Sequence, residues 1–139
     1  MKQYKRGFTA GCFDVFHKGH LNLIKNAKEY CNFLIVGVNS DELVQSYKNK
    51  TPIQPLCDRL ELVAAIKYVD ESVKIDTLDK IDAWKKFDFD VVFIGDDWKG
   101  SDRWNKTEEE LAKLGVSVVY IPYTQGISST IIRNEINKG

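Results

Sequence analysis

Apolar runs of four to seven residues recur along the chain: GFTAGCF (7–13), FLIVGV (33–38), SVKI (72–75), VVFIG (91–95) and VSVVYI (116–121). They do not alternate apolar with polar positions, which marks strands covered on both faces. Between them the period lengthens to that of a helix. After His17, the positions Leu21, Ile24, Ala27 and Lys28 share one helical face, and CDRLELVAAIKYV sets Leu60, Val63, Ala64 and Ile66 at the same spacing. Weaker helical patterns cover 78–87, 107–114 and 128–137. The stretch YKNKTPIQP (47–55), with two prolines and two lysines, breaks the periodicity and reads as an extended loop. Strands alternating with helices predict right-handed parallel crossovers. The expected fold is therefore α/β, an open parallel sheet of about five strands with helices on both faces.

At 139 residues the chain matches the size of one domain, 1–139, which buries roughly two-thirds of its unfolded surface. Twenty basic residues balance twenty acidic ones, so there is no electrostatic footprint for nucleic acid or an anionic membrane. An anionic ligand has to be held by local charge. Cys12, Cys31 and Cys57 are odd in number and lack C-x-x-C spacing, which argues against a disulfide framework and a zinc ribbon. The opening MKQYKRGFTAG is too polar for a signal peptide, and no apolar run nears the ~18 residues of a membrane span. A soluble, cytoplasmic protein is expected.

The two histidines of the chain both fall in GCFDVFHKGH (11–20), three positions apart. If Gly11 ends the first strand and a helix opens near His17, the motif occupies the strand-to-helix turn where open α/β sheets bind ligands. There the imidazoles would join the orphan N–H groups of the helix start in an anion site. Gly19 would let a phosphate approach the backbone, and Gly11 would permit the sharp turn. A metal held by the two histidines with Cys12 or Asp14 is the rival reading, weakened because no third histidine exists. In GISSTIIRNEI, Ser128, Ser129 and Thr130 open a helical pattern, and three hydroxyls exceed what one cap needs. In FIGDDWKG a buried strand delivers Asp97 and Trp98 to the same sheet edge as the histidines, where a solvated acidic turn is the plain alternative.

The pattern G-x-F-D-x-x-H-x-G-H resembles the defining motif of the nucleotidyltransferase superfamily. CDRLELVAAIKYVDE (57–71), GDDWKG (95–100) and GISSTIIR (126–133) resemble, in order and spacing, segments of the bacterial glycerol-3-phosphate cytidylyltransferases. The resemblance runs from about residue 8 to 137. It implies a Rossmann-like fold and transfer of CMP from CTP to a small phosphorylated alcohol, with release of pyrophosphate, as for precursors of cell-envelope polysaccharides. Magnesium and a symmetric homodimer are implied with it.

For individual residues the resemblance implies that His17, His20, Lys48, Lys50 and Arg59 are catalytic, the histidines and lysines acting on the transferring phosphates and Arg59 matching a family arginine. Gly11, Cys12, Phe13, Asp14, Gly19, Asp97, Trp98, Ile127, Ser128, Ser129, Thr130 and Arg133 would surround the nucleotide. Asp41 stands where ribose hydroxyls are often met, and Asp14 would orient the turn or lie near the metal. Two departures concern the acceptor. Lys67 and Tyr123 replace family arginines, and lysine keeps the charge but not the bidentate fork. Arg103 is the expected substitute. TPIQPLCDRLELVAAI also resembles adenylyltransferases of the same superfamily that act on sugar phosphates such as heptose phosphate, so ATP is the alternative donor. A non-catalytic nucleotide-binding module is the reading from another class.

Overall fold

The computed structural model describes residues 3–122. Five strands, β1 (Tyr4–Gly11), β2 (Cys31–Asn39), β3 (Glu71–Ile75), β4 (Val91–Gly95) and β5 (Ser117–Ile121), form one parallel sheet in the order β3-β2-β1-β4-β5. The helices are α1 (Lys18–Tyr30), α2 (Asp41–Lys48), α3 (Leu56–Ala64), α4 (Lys80–Phe87) and α5 (Asp102–Ala112), with a 3-10 turn at Asp96–Trp98. This is the expected Rossmann-like α/β architecture.

Both faces of the sheet are apolar because neighbouring strand positions point opposite ways. Leu34, Val36, Val38, Val91 and Phe93 pack under Ile24 and Ala27 of α1 and Val63 of α3. The intervening Ile35 and Val92 join Phe8 on the other face, under Ala83 of α4 and Trp104 and Leu111 of α5. Chain direction across the sheet reverses between β1 and β4. β1 leads outward through α1 to β2, whereas α4 returns the chain from β3 to β4 on the opposite side. The carboxyl ends of β1 and β4 therefore flank the switch point, the crevice where such sheets bind ligands.

Two elements differ from expectation. Residues 41–48 form α2, where no helix was expected. Ser40 caps it by accepting from the Leu43 N–H at 3.1 Å, and Asp41 and Glu42 complement the helix dipole. The loop thus begins at Asn49, whose φ of 54° ends the helix. Helix α5 starts at Asp102 rather than 107, because Ser101 caps it through the Trp104 N–H. The helical pattern expected at 128–137 lies outside the described residues.

Candidate active site

The turn between β1 and α1 is strained and held. Phe13 and Val15 both have φ of 51°, a left-handed conformation that is costly for a β-branched residue. Three interactions hold it. The Phe13 side chain is buried in the core under α1. The buried Asp14 carboxylate accepts from the Ile53 and Gln54 N–H groups at 2.9 and 3.0 Å. The strained Val15 N–H donates to Gln54 Oε1 at 3.0 Å. Gln54 thus clips the loop after α2 onto the histidine turn, although a lone polar residue in that loop carried no sequence signal.

The spacing of the histidines follows from the helix start that the turn creates. His17 is the N-cap of α1, and its Nδ1 accepts from the Gly19 N–H at 3.0 Å. His20, three residues on, accepts at Nδ1 from the His17 N–H at 3.2 Å. Together they form a reciprocal capping box, the arrangement usually made by Ser or Thr with Glu or Gln. Their rings stack with centroids 3.9 Å apart. Since each Nδ1 is an acceptor, a neutral imidazole must carry its proton on Nε2. Burial keeps them neutral. It lowers the pKa of His17, and it brings His20 down to about 3, helped by His17 and Lys48 and opposed by Asp14. The helix start therefore sets two neutral Nε2–H donors side by side.

A cavity of about 190 Å³ opens at this point, lined among others by Gly11, Cys12, Asp14, His20 and Lys48. Its size suits a phosphate group rather than a whole nucleotide, whose pockets run to about 300 Å³ or more. Lys48 reaches it from the last turn of α2. Burial raises the pKa of the Cys12 thiol, the dominant influence among several opposing ones. Lys50 is exposed in the loop and is not among the residues that line the cavity.

Arg59 is held within the protein. It is fully buried and donates to the carbonyls of Gln54, Cys12 and Asn39 at 2.9, 2.8 and 2.7 Å, and it pairs with the Asp41 carboxylate. With four of its five N–H groups so committed, the guanidinium is a strut beneath the site that joins Cys12 just after β1, β2, α2 and the 49–55 loop. Asp41 is correspondingly held by Arg59. Asp14 orients the turn, the first of its two expected roles.

The remaining expected residues divide by position. Asp97 and Trp98 lie at the carboxyl end of β4, next to β1, but both are exposed and neither lines the cavity. Lys67 is not brought to the site within this chain. It follows α3 and precedes β3, so it sits at the amino edge of the sheet, roughly 15 Å of strand from the carboxyl edge. Arg103 lies at the start of α5, near Lys80 of α4. Tyr123, Ile127, Ser128, Ser129, Thr130 and Arg133 lie outside the described residues. Among the described residues no group of three or more His, Cys, Asp or Glu side chains could hold a metal ion.

An open parallel sheet that offers imidazole and lysine donors at its switch point defines a class: α/β proteins that handle phosphorylated ligands. Residues 8–135 match the family model described as Cytidylyltransferase-like, and the chain belongs to that family of nucleotidyltransferases. It is 43% identical over 122 residues to the FAD synthase of Thermococcus kodakarensis, covering 85% of this chain and 80% of that one. It is 35% identical over 133 residues to the glycerol-3-phosphate cytidylyltransferase of Staphylococcus aureus, covering 95% of each. In structure it is similar to the lipopolysaccharide core biosynthesis protein of Thermoplasma volcanium, with a TM-score of 0.72 and 24% identity over 87% of this chain and 97% of that one. That last likeness concerns the fold.

Proposed function

We propose that the protein transfers CMP from CTP to a small phosphorylated alcohol, glycerol 3-phosphate or a close analogue, releasing pyrophosphate. The observation that supports the reaction type is the histidine capping box, in which His20 lines a phosphate-sized cavity and His17 stacks against it without lining that cavity. The base and acceptor rest on the likeness to glycerol-3-phosphate cytidylyltransferase along nearly the whole of both chains.

The chemistry needs no general base. The acceptor phosphate has a second pKa near 6, so it is largely dianionic at neutral pH. One of its oxygens bonds to the α-phosphorus as the bond from that phosphorus to the bridging oxygen breaks, and pyrophosphate leaves with the electron pair. The enzyme's task is to hold the groups in line and to meet the charge that builds. We assign His17 and His20 to donate from Nε2 to the phosphate oxygens, with Lys48 adding charge. Lys50, exposed in the loop after α2, joins them only in this proposal, as do Ser128, Ser129, Thr130 and Arg133 at the distal phosphates. Asp97 would accept from the exocyclic amine of cytosine while Trp98 covers the base. Magnesium, on this reading, is carried by the triphosphate oxygens.

A second reading is supported by the 43% identity to FAD synthase, whose product contains an adenylate. Under it the same site transfers AMP from ATP. Incubation with each nucleotide and a panel of phosphorylated alcohols, followed by product mass, separates the two. We also propose a symmetric homodimer in the cytoplasm, where nucleoside triphosphates and free thiols coexist. No described helix is long and apolar enough to cross a membrane. Light scattering at micromolar concentration should give twice the 15.9 kDa chain mass, and the single mass would contradict the dimer.

A further inference from the structure

We propose that a cavity between the amino-terminal ends of α4 and α5 binds a phosphate-type dianion through Lys80 and Arg103. Its volume is about 490 Å³, within the range of small-molecule sites. Lys80, Arg103, Lys106 and Thr107 line it, with Leu78 and Ile81 as an apolar wall. Both helices begin after the carboxyl ends of their strands, so the cavity shares the sheet edge of the histidine site but lies on the α4/α5 face. It is lined by none of the residues that line the histidine cavity.

The case rests on cations without counter-ions. Lys80 donates to the Leu78 carbonyl at 3.3 Å, and its ammonium stands 5.6 Å from the centroid of the Trp104 ring. Among the described residues neither it, Arg103 nor Lys106 has a carboxylate within ion-pair distance. Burial, followed by the charge of Arg103 and opposed by Asp79, pushes the Lys80 ammonium down to about 8. Holding a half-buried cation beside a second one is costly, and an anion between them relieves both the desolvation and the repulsion. Two acidic residues also line the cavity, and neither neutralises the pair. Asp79 spends Oδ1 on the Ile81 N–H at 2.8 Å as the N-cap of α4. Glu110 lies about two turns from Arg103 along α5, roughly 10 Å. A planar guanidinium with an ammonium beside it, at a helix start, suits a phosphate more than a carboxylate or a neutral group.

Two sources share that chemistry: a phosphate group of the acceptor, and a separate phosphorylated molecule. Arg103 also bears on the neighbourhood of the first site, since it offsets part of the upward push of burial on the Tyr47 hydroxyl, next to Lys48. If the acceptor supplies the anion, that assignment rests on the transferase reading; binding itself does not.

The test is calorimetric titration of inorganic phosphate into the full chain without nucleotide, repeated for Lys80→Met, Arg103→Gln and His17→Asn. Phosphate affinity should fall at least tenfold in Lys80→Met and Arg103→Gln and persist in His17→Asn. Unchanged affinity in Arg103→Gln, whose exposed side chain can be replaced without disturbing the core, overturns the site, as does loss of all phosphate binding in His17→Asn. Turnover then separates the sources. Phosphate that competes with the acceptor, with a raised acceptor KM in Arg103→Gln, identifies the acceptor's own group; non-competitive phosphate with unchanged KM identifies a separate anion. Absence of turnover in the unmodified protein would refute the transferase reading while leaving the calorimetric result standing.

Discussion

Replacing His17 by Asn separates its capping of α1 from its proposed role as a phosphate donor. The imidazole Nδ1 caps α1, while Nε2 is the proposed donor to phosphate. An Asn side chain places an oxygen where Nδ1 stood, and Asn is among the best N-cap residues, so stability should change by only a few tenths of a kcal/mol. The Nε2–H has no replacement. Losing one positioned donor to a developing charge costs about 2.7–4 kcal/mol of barrier, a fall of roughly 10²–10³ in kcat. His17→Ala loses the cap as well and should be less stable by about a further 1 kcal/mol. Urea denaturation followed by ring-current or far-ultraviolet signals gives the stabilities, and initial rates of pyrophosphate release give kcat. An Asn variant that keeps kcat within threefold would refute the donor role. An Asn variant as unstable as the Ala one would refute the cap.

Gln54 should act on the rate by holding the Val15 N–H. Gln54→Met removes the acceptor and should lower kcat about tenfold or more with little change in nucleotide KM, whereas Gln54→Glu, which keeps an acceptor oxygen, should recover most of the rate; equal rates in the two variants would sink this role. His20 predicts a pH dependence of stability. Its pKa is lowered from 6.5 to about 3, so between those values the unfolded chain binds a proton that the folded chain does not. Stability is therefore fully present above pH 6.5 and is lost as pH falls toward 3, by at most about 1.4 kcal/mol per unit. Compared with His20→Asn, which cannot titrate, the unmodified protein should lose up to about 2 kcal/mol more between pH 6.5 and 5. Parallel urea midpoints for the two proteins over that range would contradict it.

The parts of the fold that could be read from the sequence are those set by local pattern. The central strands β2 and β4 are runs largely buried on both faces, and β4 was expected at the residues it occupies, 91–95. Helix α2 was missed because only Leu43 and Val44 are buried in its eight residues, too few to show a period, although Ser40 followed by Asp41 and Glu42 is a start signal. The histidine cluster was legible at the carboxyl end of the first strand, since that place follows from fold class. Its role as a capping box was not, because histidine is rarely the pair that closes one. Arg59 was legible as a residue of α3 but not as a strut. Its acceptors, the carbonyls of Cys12, Asn39 and Gln54, come from three separate segments, and only the folded chain brings them to one guanidinium. The place of Lys67 at the amino edge was hidden for a related reason. Motif likeness carries no information about sheet edge, and the edge is decided by which end of β3 the residue precedes.

Cytidylyl transfer to a phosphorylated alcohol is tested by competition between nucleotides. The purified chain is incubated with magnesium, glycerol 3-phosphate and either CTP or ATP, with initial rates and product masses recorded. A site that hydrogen-bonds one base edge leaves polar groups unpaired against another, so, once Asp97 and Trp98 close on the base as proposed, CTP should exceed ATP in kcat/KM by about 10² or more. The product expected with CTP is CDP-glycerol, formed in equal amount with pyrophosphate. Consumption of ATP alone, or pyrophosphate released without any CDP-alcohol, would contradict the account.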